Sequence, residues 1–162
     1  MLALAVVPGA LGAQARSPWA LHVELDMYLS LKVGVEYRFS DLIGVRGSVG
    51  ACIIAPTQLS YTLVGVAHLR GQSAGLQVDL QAGLIQAVAD LISPSLPQPG
   101  DVTQPYAYWV PGLAVSLGWG WPSGHGVAIR AGGGVGFGYD LGAWQGPELM
   151  PNLALEYAWR WP

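Results

Sequence analysis

From Trp19 to Phe39 every odd-numbered position carries a large apolar side chain: Trp19, Leu21, Val23, Leu25, Met27, Leu29, Leu31, Val33, Val35, Tyr37 and Phe39. The even positions between them include His22, Glu24, Asp26, Lys32, Glu36 and Arg38. Side chains of a strand point alternately to opposite faces, so a period of two gives one oily face and one polar face, which helical spacing cannot do. The pattern recurs around 43–53, 61–69, 76–84, 109–119, 127–139 and 153–161. With two strands inside 19–39, divided near 29–31, the chain predicts eight strands and an all-β fold.

Turn lengths test the phase independently. A two-residue turn forces the apolar parity to switch, whereas a three-residue turn preserves it. The apolar phase changes from odd to even across Gly71-Gln72 and stays odd across Ser40-Asp41-Leu42. Segments 40–42, 71–72 and 122–125 are therefore expected as short turns, 29–31 and 55–58 as short links, and 88–105 and 141–149 as longer loops. Short turns on one side and longer loops on the other are the asymmetry of an up-and-down membrane barrel.

The two faces differ in bulk as well as polarity. Gly34, Gly44, Gly50, Gly112, Gly118, Gly120, Gly132, Gly134, Gly136 and Gly138 share the polar face, while the apolar face is large and aromatic. Small polar-face residues suit the cramped interior of a narrow barrel. Six basic residues (Lys32, Arg38, Arg46, Arg70, Arg130, Arg160) and six acidic ones (Glu24, Asp26, Glu36, Asp79, Asp140, Glu156) lie in strands, all on that polar face. An Arg or Lys on a lipid-facing position costs roughly 2–4 kcal/mol at the bilayer midplane. So strict a segregation predicts a lumen of charges inside a wall of apolar side chains.

Composition agrees. Charged residues make up only 10% of the 162 residues, against about 25% in ordinary globular domains. Mean hydropathy is +0.39, yet no run approaches the roughly 20 apolar residues a membrane-crossing helix needs. Net charge is −3, which gives no reason to expect a nucleic-acid partner. The single cysteine, Cys52, forbids an internal disulfide and reads as a small buried filler. At the N-terminus, the apolar run Leu2–Val7 leads through Pro8-Gly9 to Ala13-Gln14-Ala15, an A-x-A site. Residues 1–15 are accordingly expected to be a secretory signal peptide lacking its basic n-region, and 16–162 the barrel.

Aromatic residues gather at strand ends. Trp19, Tyr37, Phe39, Trp119, Trp121, Trp159 and Trp161 lie toward the short turns or the termini, and Tyr61, Trp109 and Tyr139 toward the opposite ends. Amphipathic rings favour both membrane interfaces. The strand Val33-Gly34-Val35-Glu36-Tyr37-Arg38-Phe39 before a short turn, and the aromatic C-terminal strand from Leu153 to Trp161, resemble the small eight-stranded outer-membrane barrels of Gram-negative bacteria. That class contains the OmpA transmembrane domain and the OmpX and opacity-type proteins. The resemblance implies a bacterial outer-membrane location, lipid neighbours, and recognition by the barrel-assembly machinery through Trp161, although Pro162 follows it.

No enzyme and no cofactor are expected. Lipid A deacylases of this architecture carry a His-x-Ser pair, but His22, His68 and His125 are followed two residues later by Glu24, Arg70 and Val127. His22 and His68 read as lumen residues and His125 as a turn residue. Glu24, Asp26, Glu36, Arg38, Arg46, Asp79, Arg130, Glu156 and Arg160 are expected to form a structural ion-pair network in the lumen, with Glu36 opposite Arg46. The resulting function is a structural or surface-interaction barrel, with loop 88–105 as the place for an extracellular partner. The alternative is a narrow channel for small solutes or hydrophobic molecules.

Overall fold

The alternation closes into a ring. The computed structural model describes residues 17–54, 58–70, 74–90, 107–140 and 143–161. It contains strands β1 (Trp19–Asp26), β2 (Ser30–Arg38), β3 (Ile43–Cys52), β4 (Gln58–Arg70), β5 (Gly75–Asp90), β6 (Ala107–Gly120), β7 (His125–Asp140) and β8 (Ala143–Arg160). Each strand pairs antiparallel with its sequence neighbour, and β8 returns to β1 through pairs such as Leu25 with Leu155, so no edge is left open. The expected eight-stranded barrel is the fold found.

The faces are inverted relative to a water-soluble protein. The side chains of Lys32, Glu36 and Arg130 have 0% exposure. Leu63 and Ile129, by contrast, are each 58% exposed. Apolar surface in water costs about 25 cal/mol per Å², so a wall of exposed Leu, Val, Ile and Trp is at rest only in an apolar solvent. Ring contacts on this outer face near the short-turn end join Trp19 to Tyr37 at 4.6 Å, Tyr37 to Phe39 at 5.2 Å and Trp159 to Trp161 at 4.8 Å. Trp161 itself lies just beyond β8, its carbonyl accepting the Ser17 N–H at 3.3 Å.

Registers bear out the parity argument. Glu36 pairs with Arg46 across β2–β3 as expected. Ala67 pairs with Leu80 across β4–β5, so the odd-to-even switch is present, but not through a two-residue turn at 71–72: that turn would pair Ala67 with Leu76, whereas Arg70 already pairs with Val78. Residues 71–72 themselves lie outside the described residues, as do 1–16 with the expected signal peptide, 55–57 of the 55–58 link, and 91–105 of the expected loop. Several boundaries differ from expectation. The first link is 27–29, not 29–31, because the Asp26 carboxylate accepts the Tyr28 and Ser30 N–H groups, each at 3.0 Å. An aspartate holds this turn where no Gly or Pro marks it, and Leu29 takes a left-handed φ of 57° there. The turn expected at 122–125 is 121–124: His125 opens β7 and its carbonyl accepts the Trp121 N–H at 2.8 Å.

The expected loop 141–149 is largely strand. Residues 143–149 belong to β8, with Tyr139 paired to Trp144 and Gly138 to Gln145. Gly146-Pro147 fall in a register shift between Gly136 and Gly138, where a proline without an N–H leaves no ladder bond unmade. Likewise residues 88–90, expected in a loop, continue β5.

A bulge between Leu84 and Gln86 reverses the phase of β5. Leu84 pairs with outward Pro111, whereas Ile85 and Gln86 are both buried. The polar-face glycines serve close approach. A Cβ added to Gly112 would come 2.6 Å from the Gly134 Cα on the facing strand, so these backbones meet only because neither residue has a side chain.

Candidate functional site

Among the described residues the lumen collects nearly every ionised side chain, Asp41 and Glu148 excepted, and strand register dictates who meets whom. Alternation on β1 and β2 aims Glu24, Asp26, Lys32 and Glu36 inward. Alternation on the flanking strands β3, β8 and β7 aims Arg46, Glu156 and Arg130 at them. The Arg130 guanidinium lies flat against Glu24, with Nη2 donating to Oε1 at 2.7 Å and Nη1 to Oε2 at 2.8 Å. It also donates to Glu156 Oε1 at 3.1 Å and, through Nε, to Asn152 Oδ1 at 3.1 Å. Lys32 Nζ stands 2.8 Å from Glu24 and 2.9 Å from Asp26.

Glu36 anchors the second half. Arg46 donates to its Oε2 from Nη2 at 2.7 Å and reaches Glu156 with Nη1 at 3.0 Å, so one guanidinium joins the two halves. Arg38 Nε donates to Glu36 Oε1 at 2.7 Å. The imidazoles of His22 and His68 approach the same carboxylate at 3.3 and 3.2 Å, and His68 Nδ1 meets Asp79 at 2.7 Å. Arg160 is the loosest member, its Nη2 3.8 Å from Glu36.

All nine residues expected in the lumen network thus face one connected set of partners. Fork-on-fork contacts of the Arg130–Glu24 kind are the strong, shape-specific form of ion pair. Five cations (Lys32, Arg38, Arg46, Arg130, Arg160) face five carboxylates (Glu24, Asp26, Glu36, Asp79, Glu156). Burying charges without such balance would cost several kcal/mol per ion. The side chains of Arg70 and Asp140 lie outside the described residues.

Sequence reasoning left Lys32, His22 and His68 outside the network. The cause for Lys32 is the misplaced first turn: a link at 29–31 sets Lys32 opposite Tyr28, whereas the true one at 27–29 sets it opposite Glu24. A chain of neutral polar groups was missed too. Gln81 Nε2 donates to Ser116 Oγ at 2.7 Å, Ser116 donates to Glu156 at 3.2 Å, and Asn152 Nδ2 donates to Gln86 Oε1 at 3.0 Å. Their signal was only that short polar residues occupy inward positions.

The lumen is not polar throughout. Val64, Val66, Ile85, Tyr108 and Val110 form a buried apolar cluster on the β4–β6 side, with Met150 of β8 packed against it. The bulge that turns Ile85 inward helps build it. Among the described residues, two cavities flank the charged girdle. A small one of about 50 Å³ at the short-turn end is lined by His22, Arg38, Asp79 and Arg160 among others. A larger one of about 410 Å³ lies at the loop end. Cys52 is buried beside the latter, its thiol 3.5 Å from the Tyr28 carbonyl. His125, expected in a turn, instead stacks on Trp159 and hydrogen-bonds the Tyr157 hydroxyl on the outer face.

No family model and no curated protein matches this sequence. Solved structures do. The crystal structure of the N-terminal β-barrel domain of Pseudomonas aeruginosa OprF aligns with a TM-score of 0.54 at 15% identity, covering 89% of this chain and 99% of that one. The solution NMR structure of the de novo designed protein TMB2.3 aligns with a TM-score of 0.50 at 14% identity, covering 92% and 98%. At such identities the likeness is one of fold. The chain shares the eight-stranded barrel of these proteins, as its resemblance to the outer-membrane class implied.

Proposed function

We propose that this chain is an outer-membrane barrel whose lumen is blocked by its own ion pairs, serving a structural or surface-interaction role with no catalysis. The observation that carries this is the Arg130–Glu24–Lys32–Asp26 cluster, which joins β7, β1 and β2 across the interior with side chains 0–3% exposed. Moving a solute through would require separating buried, mutually satisfied charges, and breaking one such pair costs about 3–5 kcal/mol. Eight strands leave an interior just wide enough for side chains to fill.

Residues 1–15 direct export and are removed after Ala15. Trp161 presents the C-terminal strand to the barrel-assembly machinery. Lipids contact the outer face, and the segment that follows β5, residues 91–105, offers the site for an extracellular partner. The mutual pairing of the buried charges supports the blocked reading over a channel. Adding refolded protein to a planar bilayer tests it: the membrane should stay silent at high protein input. Discrete conductance steps that persist in Arg130→Met would establish the channel instead. Co-fractionation with outer-membrane lipopolysaccharide, and a heat-dependent shift on a detergent gel, test location and folding.

A further inference from the structure

The cavity of about 410 Å³ at the loop end has a character unlike the girdle beneath it. Its size falls within the roughly 300–1,000 Å³ of ordinary small-molecule sites. None of its lining residues carries a charge. Met27, Leu29, Val88 and Met150 supply apolar wall, and Ser60 and Gln86 supply polar groups. The base is closed: Gln86 hydrogen-bonds Asn152, which bonds Arg130, and Ser30 stands one inward position from the buried Lys32. The cavity is therefore a cup.

Ser60 marks what the cup is built to take. It is 1% exposed, it lines the cavity, and its hydroxyl has no hydrogen-bond partner. A buried hydroxyl without a partner costs about 1–3 kcal/mol, a cost that a ligand oxygen seated in the cup would remove. A charged ligand finds no counter-ion on the wall and would carry its full desolvation penalty. We propose that the loop end of the barrel binds a small uncharged amphiphile, a single alkyl chain or comparable apolar body bearing a hydroxyl or carbonyl oxygen that bonds Ser60.

Two methionine methyls of the lining report directly. Full-length mature protein carrying carbon-13 methyl methionine, refolded in phosphatidylcholine nanodiscs, is titrated with 1-octanol, octane and octanoate. Octanol should shift the Met27 and Met150 methyl signals saturably. Octane, lacking the oxygen, should bind about tenfold more weakly, the value of one buried hydrogen bond, and octanoate weaker still. Ser60→Ala keeps the cavity and should abolish the preference for octanol over octane. Ser60→Leu occupies part of the cavity and should weaken saturable binding of both. Non-saturating shifts with octanol, equal affinity for octanoate, or a preference that survives in a folded Ser60→Ala barrel would each overturn the proposal. Should Ser60→Leu not fold, the Ser60→Ala comparison decides alone.

Discussion

Removing Arg130 tests the lumen most directly. Its side chain is fully buried and donates to Glu24 twice, to Glu156 and to Asn152. In Arg130→Met the volume is nearly kept, but five inward carboxylates face four cations. Glu24 retains Lys32 at 2.8 Å and Glu156 retains Arg46 at 3.0 Å, so neither is stripped bare. Breaking a buried pair from one side costs about 3–5 kcal/mol, and these surviving partners put the expectation near the lower end. Adding Glu24→Gln restores a balance of four against four. The double variant should therefore lose less than the two single variants together, with a coupling of about 0.5–3 kcal/mol. Urea unfolding from phosphatidylcholine vesicles, followed by tryptophan fluorescence, measures all four proteins. A loss below about 0.5 kcal/mol for Arg130→Met, or simple additivity in the cycle, would refute the claim that these charges are mutually held.

Three further outcomes follow from particular positions. Val33, half exposed on the outer face of β2, should destabilise the barrel by about 2–4 kcal/mol as Val33→Arg in vesicles; unchanged unfolding would mean that lipid does not surround it. Gly112→Ala drives a methyl into the facing strand and should cost about 1–3 kcal/mol, whereas Gly47→Ala, whose nearest neighbour is 3.8 Å away, should stay within about 0.5 kcal/mol of the parent in the same assay. Leu29 holds a left-handed conformation at the first turn, which costs a non-glycine residue about 1–2 kcal/mol; Leu29→Asn should raise the midpoint of the heat-dependent gel shift, and a lowered midpoint would show that the turn is not strained.

Much of the fold was legible because it rests on parity. Side-chain direction alternates strictly along a strand, so the apolar phase already encodes which face each residue takes. Glu36 could be set against Arg46 because, in addition, a three-residue turn at 40–42 fixed that register. The misplaced elements are those where parity is silent or broken. A three-residue link shifted by two positions, 27–29 for 29–31, leaves every side chain on the same face, so nothing in the pattern betrayed the shift that hid Lys32 from Glu24. Proline and glycine at 146–147 read as a loop, because only the β7–β8 pairing shows that a bulge absorbs them.

The chain by itself determined that its wall is oily and its interior charged, since all twelve strand charges share the face whose glycines suit a cramped lumen. Closure of the ring decided the rest. Arg130 and Glu24 are separated by more than a hundred positions, and no local pattern links them; they meet because β8 returns to β1 and so brings β7 within two strands of β1. The cup above them arises in the same way, from side chains of six strands that share nothing in sequence except their height on the barrel.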